Sequence, residues 1–331
     1  MIPATASQEF ASAISLQQQE LDGGSMRAID QNTITDAALE QMSSTPDPRF
    51  REIMSGLVRH LHAFAREVDL TPEEWLEAIR FLTAVGQKCT AHRQEFILLS
   101  DTLGLSALVN ALHDQRAIEP ATKSSLLGPF YRQDAPMMDL GSSIISQGHG
   151  SEIVIHGYVR DASGKGIPNA LVQIWEPDET GNYDLQKHDP SVMDLRGCFR
   201  ADSEGRYYLR GVCPTGYMIP MDGPVGDMIR AQNRHGYRPA HIHFVIGAPG
   251  YRELVTALYI AGDAHIDSDT VFGVDESLIT SVNKNDPSSP FPNLPSIRYD
   301  FRLAKASAKD VSGRVGADPS QITAKTSPAG A

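Results

Sequence analysis

The residues best placed to do chemistry are His241 and His243, in the run Arg238-Pro239-Ala240-His241-Ile242-His243-Phe244. The run has strand character, and side chains at i and i+2 of a strand leave on the same face. Both imidazoles are therefore positioned to reach one metal ion, while Ile242 and Phe244 turn the other way into a core. Two histidines do not name the metal. Upstream, Tyr183 ends a Gly181-Asn182-Tyr183 turn, and Tyr217 lies between Gly216 and the Ile219-Pro220 pair, in strand-and-turn settings that one sandwich can bring near the histidines. Two phenols with two imidazoles suit a ferric ion. Fe(III) is a hard Lewis acid that favours anionic oxygen, and coordination deprotonates a phenol whose free pKa is about 10. Zinc and Fe(II) sites more usually combine Cys, His and carboxylate.

Taken singly, a tyrosine in a β-protein ordinarily packs with its hydroxyl bonded, and a lone histidine is ordinarily satisfied in a core or at the surface. Tyr158, Tyr207, Tyr208 and Tyr237 are read that way. So are His60, His62, His92 and His113, which lie in helical sequence without a common metal geometry.

The elements that must hold these residues follow from periodicity. From residue 34 to about 115 the apolar spacing is helical, with Ile53, Leu57, Leu61, Phe64 and Val68 at steps of three and four. Thr71-Pro72-Glu73-Glu74 opens a further helix: Thr71 is the N-cap, Pro72 the first helical position and Glu74 the reciprocal capping-box partner. A third helix is expected from Gln94 through Phe96, Leu99 and Leu103. Residues 116–150 are punctuated by Glu119-Pro120, Gly128-Pro129 and Asp134-Ala135-Pro136, an irregular connection. Strands begin near Ile153. Val154–Val159, a turn at Asp161–Gly166, and Ala170–Trp175 read as a hairpin, with more strands around Tyr207–Gly211, Ala240–Gly247 and Leu254–Ile260. The fold class is α+β, helices followed by a mostly antiparallel β-sandwich. The boundaries expected are a flexible extension over 1–33, a helical dimerisation and linker domain over 34–135, a catalytic sandwich over 136–303 and a disordered tail over 304–331. Met26, after Gly23-Gly24-Ser25, is read as a second candidate start.

At this point the chain resembles the intradiol ring-cleavage dioxygenases. The resemblance is carried by Leu127-Gly128-Pro129-Phe130-Tyr131, Gly181-Asn182-Tyr183-Asp184, Leu195-Arg196-Gly197, Tyr217-Met218-Ile219-Pro220-Met221-Asp222-Gly223-Pro224 and the Arg238–His243 run, and it extends over residues 34–303. It implies one Fe(III) per chain, held by Tyr183, Tyr217, His241 and His243. It also implies two catalytic residues: Tyr217, released as substrate chelates, and Arg238, whose fixed charge supports the developing oxyanion. The partners implied are a small aromatic diol or triol and O2, and the helical segment is implied to form a homodimer interface.

Within the family, Trp175-Glu176-Pro177-Asp178-Glu179-Thr180-Gly181-Asn182-Tyr183 and Asp267-Ser268-Asp269-Thr270-Val271-Phe272-Gly273-Val274 are similar to the branch that acts on hydroxyquinol, 1,2,4-trihydroxybenzene. Ala257 stands where the catechol branch commonly has Gln. The pocket implied comprises Leu98, Asp101, Leu126, Leu127, Gly128, Pro129, Phe130, Ile219, Pro220, Arg238 and Val271. Asp101 is its informative member, a carboxylate suited to a third ring hydroxyl. The reaction implied is cleavage between adjacent hydroxylated carbons to maleylacetate or its enol, 3-hydroxy-cis,cis-muconate. Three alternatives stand beside it: catechol or chlorocatechol cleavage, a non-catalytic transthyretin-like sandwich, and a cupin-like site using His241, His243 and Glu253.

Composition narrows the partners. A formal charge of −12 over 331 residues argues against nucleic acid and anionic membranes. Cys89, Cys198 and Cys213 are odd in number and widely spaced, which favours a reducing cytoplasm over a disulfide framework. No apolar run approaches the length of a spanning helix, so no membrane insertion is expected.

Overall fold

The structure is a computed structural model that describes residues 29–90, 93–146, 150–187, 189 and 191–306. The expected extension before residue 29, Met26, His92 and the tail from residue 307 lie outside the described residues. The chain divides into two compact units, residues 1–80 and 81–331.

In the first unit, α1 (Ile34–Gln41) precedes α2 (Pro48–Glu67), and α3 (Pro72–Lys88) begins there and ends in the second unit. Asp47 caps α2 by accepting from the backbone of Arg49 and Phe50. The expected capping box opens α3: Thr71 N donates to Glu74 Oε2 at 2.9 Å, and Glu74 N donates to Thr71 Oγ1 at 3.3 Å. The apolar stripe of α2, including Leu57, Leu61 and Phe64, is exposed.

In the second unit the expected third helix is two helices, α4 (Glu95–Thr102) and α5 (Leu105–Asp114), meeting at 73°. Gly104 breaks the run by taking the left-handed conformation, φ +74°, which other residues adopt only with strain. No single helix among the described residues is long and apolar enough to cross a membrane.

Eleven strands follow among the described residues: β1 (Glu152–Asp161), β2 (Leu171–Trp175), β3 (Arg196–Arg200), β4 (Arg206–Val212), β5 (Tyr217–Met218), β6 (Tyr237–Arg238), β7 (His241–Gly247), β8 (Leu254–Ile260), β9 (Ile279–Thr280), β10 (Ser296–Arg298) and β11 (Phe301–Leu303). A helix, α6 (Pro224–Ala231), separates β5 from β6. The first sheet joins β1 to β4, β10 and β11, and the second runs β3-β2-β7-β8-β9. Ladders are antiparallel except β1 with β10 and β11, and β8 with β9, which are parallel.

The expected β1–β2 hairpin is not formed. The Asp161–Gly166 turn is tight, but Leu171 onward pairs with β3 and β7, so the connection crosses from one sheet to the other. Burial explains the crossing: Ile155 and Val159 of β1 and Val172 and Ile174 of β2 enter one core from its two sides, with Leu209, Ile242, Phe244 and Phe301. A hairpin would have put them on one sheet.

The alternation of β7 holds as read from sequence. Ile242, Phe244 and Ile246 enter that core, while His241 and His243 leave on the other face of the five-stranded sheet.

Candidate active site

Three short segments meet over that outer face. β7 contributes His241 and His243. β5 contributes Tyr217, which pairs across β6 with Arg238. Tyr183 stands at the start of a 3-10 turn, Asp184–Gln186, where its backbone N–H donates to Gln186 Oε1 at 2.9 Å. Gly181 allows the Tyr183 loop to close on β5: at φ +84° it has no Cβ, and one built there would lie 2.5 Å from the Tyr217 Cβ. Behind the loop, the buried Arg196 guanidinium pairs with Asp184, its Nε donating to Oδ2 at 2.6 Å, and both terminal nitrogens donate to the Phe130 carbonyl at 3.3 Å. This ties the Phe130 and Tyr183 segments together, and the Phe130 ring stacks on Tyr183 at 4.5 Å.

The polar ends of the four residues converge. His241 Nδ1 lies 2.7 Å from the Pro239 carbonyl, which assigns the proton to Nδ1 and leaves Nε2 an acceptor, with Arg238 Nη1 at 3.0 Å. His243 Nε2 is 3.1 Å from it, the Tyr183 hydroxyl 3.4 Å and the Tyr217 hydroxyl 3.5 Å, with the two hydroxyls 3.4 Å apart. Burial holds both imidazole pKa values well below the usual 6.5; Arg238 adds to this at His241, and His241 followed by Arg238 adds to it at His243. Both rings are therefore neutral. Burial, then the neighbouring Tyr217, lifts the Tyr183 phenol well above its ordinary value.

This donor set fits a hard cation. Bonds of about 2.0 to 2.1 Å to one ion set neighbouring donors about 3 to 3.4 Å apart, the spacing seen here. Without an ion the phenols are poorly served, because their contacts far exceed the roughly 2.7 to 2.8 Å of a good O–H hydrogen bond. Among the described residues, no group of three or more His, Cys, Asp and Glu side chains is arranged to hold a metal. The cupin-like alternative is corrected by position: Glu253 lies beside Gly247, four residues and about 13 Å along β7 from His243.

Leu98, Leu126, Ile219 and Val271 share one buried apolar cluster. Leu127, Phe130, Tyr183 and Tyr217 belong to a second, with Trp175. Gly128 abuts His243: a Cβ there would sit 3.3 Å from the imidazole Cε1. Pro129 and Pro220 are partly buried beside these residues. Asp101 is neither a surface nor an N-cap residue; it is buried in the last turn of α4, close enough to feel the charges of Arg238 and Asp269. Burial lifts its pKa to about 6. His62 bonds Thr35 Oγ1 through Nδ1 at 3.0 Å, and the Tyr207 hydroxyl donates to the Tyr299 carbonyl, as structural roles require. Ala257 faces His243 across the β7–β8 ladder.

Sequence reasoning missed Tyr259, Ser125 and Asp269. The signal for Tyr259 was available: once β7 and β8 form a hairpin, Tyr259 stands opposite His241. Its hydroxyl accepts from Arg238 Nη2 at 3.3 Å, and Arg238 is also paired with Asp269.

A β-sandwich with two phenols and two neutral imidazoles gathered on an outer sheet face, beside a buried guanidinium, has the architecture of a non-haem metal enzyme. The Dioxygenase family profile matches residues 126–305, and the Catechol dioxygenase N terminus profile matches residues 47–119. The chain is 44% identical over 254 residues to 6-chlorohydroxyquinol 1,2-dioxygenase of Cupriavidus pinatubonensis, which covers 77% of this chain and 92% of the relative. It is 45% identical over 267 residues to hydroxyquinol 1,2-dioxygenase of Rhodococcus opacus, covering 80% and 88% respectively. The structure of hydroxyquinol 1,2-dioxygenase from Pseudomonas putida DLL-E4 superposes with a TM-score of 0.74 at 42% identity, over 83% of this chain and 99% of that one. The chain belongs to the intradiol ring-cleavage dioxygenases. Membership implies iron.

Proposed function

We propose that this enzyme cleaves hydroxyquinol between adjacent hydroxylated carbons, giving maleylacetate through 3-hydroxy-cis,cis-muconate, at one Fe(III) held by Tyr183, Tyr217, His241 and His243. The observation that carries the proposal is the convergence of two hydroxyls and two imidazole Nε2 atoms at 3.1 to 3.5 Å. A ferric ion bound there supplies a Lewis acid for two adjacent ring oxygens and prepares the ring for O2.

The residues divide the remaining work. Tyr183 is 1% exposed and stacked under Phe130, whereas Tyr217 is 7% exposed and sits on a two-residue strand. On this reading Tyr217 Oη takes up the proton that a ring hydroxyl of the arriving substrate gives up, and Tyr183 stays in place. Arg238 presents a permanent positive charge to oxygen anions of the ring. Leu98, Leu126, Ile219 and Val271 form an apolar wall that excludes water, with Leu127, Gly128, Pro129, Phe130 and Pro220 completing the lining. Asp101 accepts a hydrogen bond from the third hydroxyl, which catechol lacks. Residues 34–135 form the helical dimerisation and linker domain, whose later part also lines the pocket, and residues 136–303 carry the iron ligands; the exposed stripe of α2 suits a homodimer, to be seen as a sedimenting species of twice 36.1 kDa. The three separate cysteines, all free, suit the cytoplasm.

The test is product analysis with the iron-loaded protein under 18O2. Incorporation of label into a ring-opened dicarboxylate from hydroxyquinol, at higher kcat/KM than from catechol, is the expected result. A preference for catechol would select the catechol reading instead.

A further inference from the structure

We propose that Asp269 is a positioning residue for Arg238, locking the guanidinium so that Nη1 alone faces the donor cluster. The inference rests on the proposed ring cleavage and adds to it a closed ring of hydrogen bonds behind Arg238. Arg238 Nε donates to Asp269 Oδ1 at 3.1 Å, and Nη2 donates to Oδ2 at 3.2 Å, a bidentate pair with both side chains buried. Nη2 also donates to the Tyr259 hydroxyl at 3.3 Å. Ser125 Oγ gives its single proton to the Gly273 carbonyl at 2.9 Å, so the 2.8 Å contact with Tyr259 is a bond donated by the tyrosine. Gly273 N–H returns to Asp269 Oδ2 at 3.0 Å, and Val271 N–H reaches Oδ1 at 3.3 Å.

The ring thus runs Arg238, Tyr259, Ser125, Gly273, Asp269 and back to Arg238. It engages Nε and Nη2. Nη1 points the other way, to His241 Nε2 at 3.0 Å, onto the donor cluster itself. A bidentate carboxylate fixes the plane of a guanidinium as well as its charge. The space behind is filled: a Cβ on Gly273 would lie 2.5 Å from the Tyr259 hydroxyl and 3.0 Å from Arg238 Nη2. Arg238 therefore has one seat.

The experiment is a double-mutant cycle on the iron-loaded enzyme, with Asp269→Asn made in the wild type and in Arg238→Ala. Two quantities are read: kcat/KM for hydroxyquinol and the affinity for 4-nitrocatechol, a chelating chromophore that reports binding without turnover. Displacing a catalytic group by about 1 Å costs up to about 10²-fold, so Asp269→Asn is expected to lower kcat/KM roughly 10- to 100-fold and to weaken nitrocatechol several-fold. In Arg238→Ala the same change is expected to cost less than about 3-fold in either quantity, since the group it positions is gone. Tyr259→Phe leaves the carboxylate pair in place and is expected to cost about 3- to 10-fold, which carries the test where Asp269→Asn does not fold. Equal losses with and without Arg238, or no loss in Asp269→Asn or Tyr259→Phe, would overturn the proposal. A wild type that chelates nitrocatechol but leaves hydroxyquinol intact sinks the substrate reading alone, and the binding cycle still decides the role of Asp269.

Discussion

Trp175 lies flat against His243, with ring centroids 4.9 Å apart and planes within 2°. The two residues pair across the β2–β7 ladder, so the indole backs the imidazole directly on the sheet face. Such stacking is worth about 0.5 to 1.5 kcal/mol beyond area burial, and truncating a buried Trp costs about 3 to 5 kcal/mol. Trp175→Ala is expected to destabilise the iron-free protein by that larger amount and to weaken iron retention. Trp175→Phe, which keeps a ring there, should recover most of both. Denaturant unfolding and iron dialysis check this, and full iron retention in Trp175→Ala would contradict it.

Asp101 should carry part of the substrate preference. Asp101 already bonds the Ser106 side chain, and its remaining acceptor sites, facing a ring carbon without a hydroxyl, are underpaired at a cost of about 1 to 3 kcal/mol, or roughly 5- to 150-fold in kcat/KM. Asp101→Ala is expected to lower hydroxyquinol turnover more than catechol turnover at matched iron content. Equal loss of both activities would make Asp101 structural.

Much of this site was legible in the sequence, and the reason is local. His241 and His243 share a face by strand periodicity alone, and Thr71 with Glu74 announces a helix start within four residues. The Asp267–Val274 stretch stood out as a string, but Asp269's partner is thirty-one positions away, and its aim at Arg238 depends on how the loop folds over β6. Likewise the β1–β2 turn looked like a hairpin because turn chemistry is local, whereas the choice of sheet is set by a shared core. Gly104, inside an apolar period, gave the only local sign that the third helix would split.

Glu176 offers a pH test away from the metal donors. Its Oε1 accepts from Val212 N–H at 2.9 Å, while Oε2 is buried without a hydrogen-bond partner among the described residues. Burial, reinforced by Asp194, pushes its pKa from 4.5 to about 8. Between those values the folded chain keeps a proton that the unfolded chain has lost, so this residue removes stability as pH rises through the window. Glu176→Gln should therefore gain stability relative to wild type from about pH 5 to about pH 8, by on the order of a few kcal/mol. Urea unfolding across that range measures it, and a mutant-to-wild-type difference independent of pH would contradict the assignment.

The central claim is that Tyr183 and Tyr217 bind iron as phenolates beside His241 and His243, and the visible absorption spectrum of the iron-loaded protein tests it most directly. About one iron per chain and a broad phenolate-to-iron charge-transfer band are expected. The band should be altered in both Tyr183→Phe and Tyr217→Phe and should vanish when a chelator removes the metal. Protein that takes up iron without colour, or a band that both substitutions leave unchanged, would contradict it.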